Sequence, residues 1–183
     1  MKRLVHGVGF NDGRHKTREI INGEIIHCPF YLKWSNMLGR CYCASYQKIK
    51  PNYRGCTVAD EWLVFSVFRE WMQGQDWEGK FLDKDMLFAG NKIYSPSTCV
   101  FISNQTNTFL NEATATRGDC LLGVHIEKGQ SKFRALITVN NKARHLGYFD
   151  TESQAHNAWR VAKADAVMSV AFTENDLRVK QVL

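Results

Sequence analysis

One segment, residues 123–172, constrains the fold most strongly, because its side-chain periodicity changes partway along it. Residues 133–139 alternate between apolar and polar side chains, which predicts a β-strand with one apolar face and one polar face. Shorter runs of the same kind at residues 123–126 and 144–149 predict two partner strands. The sequence therefore predicts a three-stranded antiparallel sheet with one face to bury.

A helix is predicted directly after these strands. The run from Thr151 to Gln154 has the capping-box pattern that opens a helix. Small side chains then recur at helical spacing beside Trp159, at Ala155, Ala158, Ala162 and Ala166. Such a stripe lets the helix pack closely on the apolar face of the sheet, which leaves the polar face for a partner.

The motifs of this segment resemble the Apetala-two (ethylene-response-factor) DNA-binding domain. The resemblance covers residues 120–172 and rests on four runs: Gly-Val at 123, Phe-x-Ala-x-Ile at 133, His-Leu-Gly-x-Phe-x-Thr at 145 and Ala-x-x-Ala-Trp-x-x-Ala at 155. That family lays its sheet in the DNA major groove, which admits a β-sheet as well as a helix. The resemblance therefore implies that double-stranded DNA is the partner.

The polar positions of the predicted strands and their basic neighbours are the residues expected at the DNA. They are His125, Lys128, Lys132, Arg134, Thr138, Lys142, Arg144 and His145. Glu127 and Leu136 also point outward, but neither is an obvious reader of bases. We therefore expect the lysines and arginines to anchor phosphates, which positions a protein without specifying the base sequence. The alternative is a small structural α+β unit with an ordinary solvated basic face.

Composition agrees with a polyphosphate partner. The 183 residues include 24 Lys and Arg against 18 Asp and Glu, a formal net charge of +6, and this balance favours attraction to nucleic acid. No apolar run reaches membrane-spanning length, and no signal-peptide core follows the first residues. We therefore expect a cytoplasmic protein with no membrane partner.

The six cysteines are expected to be reduced and mostly buried. They stand at Cys28, Cys41, Cys43, Cys56, Cys99 and Cys120, and no Cys-x-x-Cys pair occurs among them. Structural zinc on Cys41, Cys43, Cys56 and Cys99 is the alternative, but its usual ligand spacing is missing. Buried thiols are favoured over structural zinc for that reason.

The domain organisation follows from residues 111–119, which are polar, small and without periodicity and so predict a linker. The linker separates a unit of residues 1–110 from a unit of residues 120–172, which a tail of residues 173–183 follows. Helices are predicted near residues 30–43 and 60–72, with a glycine-rich arm at 7–13 and a short strand at 56–58. The expected fold class is α+β, with a helical first unit and then the three-stranded sheet packed on one helix.

A ββα outline is predicted between residues 82 and 107. It comprises the acidic strand Leu82-Asp83-Lys84-Asp85, a Gly-Asn turn at 90, a second strand ending near 101 and a helix that begins among the asparagines of residues 104–107. Two further runs lie upstream of this outline. One begins at residue 34 and reads Trp-x-x-Met-x-x-Arg-Cys-Tyr, and the other begins at residue 53 and reads Tyr-x-Gly-Cys-x-Val-x-x-Glu-Trp-x-x-Phe. The set resembles phage proteins related to HNH endonucleases over residues 7–107 and implies a ββα-metal core.

This second resemblance implies metal-assisted hydrolysis of a phosphodiester. Asp83 matches the first metal ligand, and Asn107 is the candidate ligand from the helix, with Asn104 second. Such oxygen ligands suit Mg²⁺ or Mn²⁺. Lys84 occupies the position of the usual histidine base, and a protonated lysine cannot accept a proton. The catalytic set expected is Asp83, Lys84 and Asp85, with Lys84 on the phosphate and Asp85 or a metal-bound water as the base.

Two functions follow from these patterns. The first is a DNA-binding endonuclease, homing-type or nicking, which acts in the host cytoplasm if a phage encodes it. The alternative is a catalytically inactive DNA-binding or regulatory protein that uses the HNH-like core as a scaffold. The alternative interpretation of Asp83 and Asp85 is a solvated turn with surface salt bridges.

Overall fold

The computed structural model describes residues 4–110, 120–127, 129–139 and 142–183, with the backbone alone at 109 and 110. The chain divides into two compact units, Met1–Ile102 and Ser103–Leu183. The mixed α+β class predicted from the sequence is confirmed, whereas the HNH-like core stays a prediction. The predicted linker, residues 111–119, lies outside the described residues. Within the described ranges, no helix combines the length and the apolar composition that crossing a bilayer requires.

The first unit holds three helices and six short strands among its described residues. In chain order they are β1 Arg18–Ile21, β2 Glu24–His27, α1 Pro29–Tyr42, α2 Ala44–Ile49, β3 Thr57–Val58, α3 Phe65–Gln73, β4 Phe81–Asp83, β5 Ile93–Tyr94 and β6 Val100–Ile102. The pairs β1–β2 and β4–β6 are antiparallel, and β3–β5 is parallel. Three two-stranded ladders this short cannot stabilise the unit alone, so its stability comes from the helices that pack together.

The core of the first unit is aromatic and is built by α1 and the segment that leads into α3. The helical stripe predicted on α1 is buried at Trp34, Met37, Leu38 and Cys41. Trp62, Phe65 and Phe68 are fully buried opposite it, as their spacing predicts. Trp34 Nε1 donates a hydrogen bond to the backbone oxygen of Trp62 at 2.7 Å, which joins the two elements through a satisfied indole.

The helix predicted at residues 60–72 is wrong in its first part. Asp60–Leu63 form a 3₁₀ turn, Val64 is extended, and α3 begins only at Phe65. The cause is the glycine-rich arm, because Phe10 N donates to Leu63 O at 2.7 Å and Phe65 N donates to Phe10 O at 3.0 Å. This pairing holds the backbone in β geometry where the local pattern favours a helix, so a long-range contact overrides the local propensity.

The arm lies directly on the core. A Cβ placed on Gly9 would stand 2.3 Å from Leu38 Cδ1 and 2.9 Å from the Trp34 ring, so no larger residue fits there. Sequence reasoning also missed the hairpin that follows the arm. Its strands β1 and β2 are joined by Asn22 and Gly23, both at positive φ, which is the signature of a type I′ turn. All eight strand residues are exposed.

The second unit contains the predicted sheet and helix. Its described elements are α4 Asn104–Leu110, β7 Val124–Ile126, β8 Phe133–Val139, β9 Lys142–Phe149, α5 Glu152–Thr173 and α6 Leu177–Val182. The strands form an antiparallel sheet in the order β7-β8-β9, which confirms the predicted sheet. Helix α4 falls in this unit rather than with residues 1–102, and α6 occupies the predicted tail.

Close packing of α5 on the sheet follows from small residues, as predicted. Both capping-box bonds form between Thr151 and Gln154, each 3.2 Å long. Ala135 of β8 and Ala155 of α5 are fully buried. A Cβ placed on Gly123, which has φ +74°, would stand 2.0 Å from Trp159 Cδ1. Glycine at 123 is therefore required both for its backbone conformation and for the approach of the indole.

Candidate nucleic-acid interface and carboxylate site

The strand register decides which side chains share the face of the sheet opposite α5. Directly opposed residues of an antiparallel pair lie on the same face. Arg134 is opposed by His125 on one side and Tyr148 on the other, Leu136 by His145, and Thr138 by Ala143. We call this set the outer face: His125, Arg134, Leu136, Thr138, Ala143, His145 and Tyr148.

A β-bulge in β9 brings His145 and Tyr148 onto the same face. Gly147 opposes Ala135 and His145 opposes Leu136, so Leu146 is the extra residue. Gly147 has φ +136°, a conformation that glycine adopts readily. The rings of His145 and Tyr148 consequently lie 4.8 Å apart at their centroids. Tyr148 was not among the residues expected at DNA. Its register opposite Arg134, which sequence periodicity does not give, assigns it to the outer face.

The same bulge places two of the predicted DNA-binding residues on the opposite face. Arg144 opposes the buried Ile137, and Lys142 opposes Val139. Both line a cavity of about 380 Å³ together with Asp165 and Ser169 of α5. They therefore lie on the helix side of the sheet, away from His125, Arg134, Thr138 and His145.

Carboxylates already neutralise two of the cations near the outer face. Arg134 Nη1 lies 3.1 Å from Glu127 Oε1, and Arg134 Nε donates to His145 Nδ1 at 3.4 Å. Lys132 Nζ lies 3.3 Å from Asp150 Oδ1. Lys128, the remaining predicted contact, lies outside the described residues. The outer face is thus a polar and aromatic surface with balanced charge rather than a strongly basic one.

Asp83, at the end of β4, organises the turn that follows it. Its Oδ1 accepts hydrogen bonds from the backbone N–H groups of Asp85 and Met86, each 2.7 Å long. This is the local side-chain-to-backbone pattern of an Asx turn. Opposite it, β6 continues directly into Ser103 and α4. The two strands of the predicted outline therefore pair with each other, whereas the ββα-metal core stays a prediction, and one oxygen of Asp83 is committed to the backbone.

Lys84 points into the first unit. Its side chain is only 6% exposed, its Nζ lies 2.5 Å from Asp85 Oδ1, and the same Nζ stands 5.9 Å from the centroid of the Tyr94 ring. Burial raises the pKa of the Tyr94 phenol, which keeps that neighbour neutral. A lysine held in this way does not present its charge to a phosphate, which departs from the role that the HNH resemblance implies.

Asn107, the second predicted metal ligand, lies on α4 in the second unit, whereas Asp83 lies in the first. Their pairing around a metal therefore stays a prediction. Among the described residues, no three or more His, Cys, Asp or Glu side chains are grouped to hold a metal ion. Carboxylate oxygens at Asp83 and Asp85 are the hard-cation donors that the turn offers.

The cysteines divide by environment. All six are free thiols. Burial raises the pKa of the Cys41 and Cys99 thiols to about 12, so both stay protonated and unreactive at neutral pH. The Ser45 hydroxyl, 3.1 Å away, lowers the pKa of the Cys43 thiol instead.

Comparison with known proteins gives no relative on which to base a function: no family model, no curated protein and no solved structure matches the chain.

Proposed function

We propose that this protein binds double-stranded DNA through the outer face of the β7-β8-β9 sheet. The observation that carries the proposal is the composition of that face around Arg134, which has His125, His145 and Tyr148 as neighbours. A guanidinium donates in a fork to phosphate oxygens or to guanine, and imidazole and phenol groups add further donors. The resemblance to the Apetala-two domain supports the same face, because that family uses its sheet in the major groove.

The ion pair between Arg134 and Glu127 is compatible with DNA binding by Arg134. The two side chains are 34% and 56% exposed, and exposed pairs contribute about 0–1 kcal/mol. A charge-assisted hydrogen bond to a DNA phosphate contributes roughly 1.5–3 kcal/mol. A phosphate can therefore replace Glu127 as the partner of Arg134 when DNA approaches the face.

Fluorescence anisotropy with a labelled duplex tests this proposal, using three arginine-to-alanine variants. Arg134→Ala removes the centre of the outer face and is expected to weaken binding about tenfold or more. Arg160→Ala removes the same charge from an exposed position on α5 and is expected to leave binding unchanged. Arg144→Ala decides between the two faces of the sheet, because Arg144 lies on the helix side. A larger loss with Arg144→Ala than with Arg134→Ala would move the DNA to the other face.

A second candidate function, metal-dependent cleavage of the bound DNA, is favoured by one observation. Asp83 and Asp85 lie at the end of β4, whose partner β6 leads directly into the asparagine-bearing α4. Carboxylate oxygens at Asp83 and Asp85 are donors that suit Mg²⁺ or Mn²⁺, which supplies charge stabilisation and a more acidic water when bound, and Asn107 is the further ligand that the HNH resemblance implies. Asp85 would hold the Lys84 ammonium in place, because its Oδ1 lies 2.5 Å from Lys84 Nζ.

Conversion of supercoiled DNA to nicked or linear form in Mg²⁺ or Mn²⁺ tests the nuclease. The informative variant is Asp83→Asn, because the amide oxygen can still accept the two backbone hydrogen bonds of the turn while the negative charge is lost. Asp60→Asn, at an exposed position, is the matched control. Cleavage by the unchanged protein and by Asp60→Asn, but not by Asp83→Asn, supports the nuclease. Absence of cleavage by a protein that binds the duplex in chelator supports the alternative of a DNA-binding scaffold.

A further inference from the structure

The first unit contains a cavity of about 430 Å³ whose walls are strongly basic. It lies between the start of α1, the hairpin strands β1 and β2, and the side of α3. Four permanent cations line it, namely Arg14, Lys16, Arg18 and Arg69. His15, His27 and the carboxylate of Glu19 complete the polar wall. We infer that this cavity is a binding site for a phosphate group.

The charges of this cavity are incompletely neutralised. Arg14 pairs with Asp12 at 3.3 Å, and Lys16 pairs with Glu19 at 3.6 Å across two exposed side chains. Among the described residues, no carboxylate forms an ion pair with Arg18 or Arg69. Glu19 also lines the cavity but pairs with Lys16, so two guanidinium groups face the cavity without an ion pair of their own. An anionic ligand would balance them.

Arg69 gives the cavity a prepared donor. Its guanidinium lies 5.0 Å from the centroid of the Phe30 ring, which holds the side chain in place by a cation–π contact. Its Nε is buried and has no hydrogen-bond partner among the described residues. A tetrahedral phosphate offers acceptors to the fork of an arginine from several directions, which makes it the chemistry that fits best.

The start of α1 adds to the same preference. Cys28, Pro29 and Phe30 line the cavity, and α1 runs for 14 residues from Pro29. No side chain caps this helix, and its first turn holds no acidic residue. The N-terminal end of a helix carries a partial positive charge and favours an anion. The helix end therefore reinforces the arginines, which remain the primary determinant of the site.

The phosphate has two possible sources, a free phosphate compound or the backbone of a nucleic acid, and two ligands separate them. Isothermal titration with inorganic pyrophosphate tests the first source, and anisotropy with a labelled duplex tests the second. Arg18→Ala and Arg69→Ala are the test variants, and Arg54→Ala is the control, because Arg54 is exposed in the same unit and does not line the cavity. Arg18 is itself exposed, so its variant keeps the packing that Arg69 makes with Phe30.

We expect Arg18→Ala and Arg69→Ala each to weaken binding about tenfold, the loss of one charge-assisted hydrogen bond, while Arg54→Ala leaves it unchanged. Pyrophosphate binding with this pattern assigns the site to free phosphate compounds. The same pattern on the duplex alone assigns it to a nucleic-acid backbone. Equal behaviour of all three variants with both ligands overturns the inference. Arg134→Ala keeps this test separate from the DNA-binding proposal, because that variant leaves the cavity intact and alters duplex binding alone.

Discussion

The outer face of the sheet and the basic cavity of the first unit hold their cations in different ways. On the outer face, Arg134 is paired with Glu127, and Lys132 at its edge is paired with Asp150. In the cavity, Arg69 is held by an aromatic ring and keeps a buried donor without an acceptor. The number of basic residues on a surface therefore does not by itself give its affinity for anions. The state of each cation before the ligand arrives matters equally.

We expect Gly123→Ala to be the most damaging substitution, because it destabilises the sheet that carries the outer face. Gly123→Ala forces a Cβ to 2.0 Å from Trp159 at a residue with φ +74°. We expect the second unit to lose about 3 kcal/mol or more of unfolding free energy, from overpacking and backbone strain together. Urea denaturation followed by circular dichroism measures the loss.

The matched control for that variant is Gly129→Ala. Gly129 also has positive φ, +85°, but a Cβ there meets nothing within 4 Å. It should cost about 1 kcal/mol, the strain without the clash. Equal losses in the two variants would show that Trp159 does not set the requirement for glycine at 123.

The unfolding free energy of the first unit, which holds the cavity, should fall at alkaline pH. The Cys41 and Cys99 pKa values of about 12 compare with 9.0 for an ordinary thiol. Above pH 9.0 the unfolded chain loses these protons while the folded chain keeps them, so the unfolding free energy falls until the pH reaches about 12. The expected slope is roughly 1 kcal/mol per pH unit for each thiol. Denaturant midpoints measured between about pH 8 and pH 11 give that slope.

Two alanine variants check the cause of this alkaline loss. Cys99→Ala removes one of the two thiols whose pKa is raised. Between about pH 9 and pH 10, below the range in which the raised pKa of Tyr94 adds to the loss, it should make the slope about half as steep. Cys43→Ala removes a half-buried thiol whose pKa is lowered, not raised, and should leave the alkaline loss in place. A slope that is the same in Cys99→Ala as in the unchanged protein would assign the loss to other groups.

A substitution that removes the ion-pair partner of Arg134 would make the outer face resemble the cavity, and we expect its effect on DNA affinity to be modest. Glu127→Gln removes the carboxylate that pairs with Arg134 and leaves the side-chain size unchanged. DNA affinity should rise by about two- to fivefold, because the arginine no longer leaves a partner on binding. Glu61→Gln, at an exposed position in the first unit, removes the same charge and should change affinity little. No gain in Glu127→Gln beyond that of Glu61→Gln would place the DNA contact away from Arg134.

Local patterns in the sequence were sufficient for the elements whose partners lie nearby. Strand β8 spans the alternating run Phe133–Val139, and the capping box at Thr151 opens α5 as predicted. The apolar stripe of α1 is buried for the same reason, since helical spacing alone decides which side faces inward. These features depend on periods of two or 3.6 residues, which a single sequence displays directly.

Features that depend on distant pairing were not predictable in this way. Val64 is extended because the arm pairs beside it, and the bulge at Leu146 turns Arg144 to the helix side. Lys84 likewise is buried with its Nζ 5.9 Å from the centroid of the Tyr94 ring, which periodicity within the strand does not give. In the candidate site, the sequence therefore indicates which residues lie on strands. It does not give the direction in which each of their side chains points.

The pairing of Phe10 with Val64 also has a consequence for the order in which the first unit forms. The arm leaves the ribosome before α1 and α3, yet its hydrogen bonds are to residues that flank the start of α3. Closing so long a loop costs chain entropy that is recovered only when the aromatic core assembles. We therefore expect the arm to dock late in folding, after α1 and the start of α3 are in place, and its docking to cover the Trp34 and Leu38 surface.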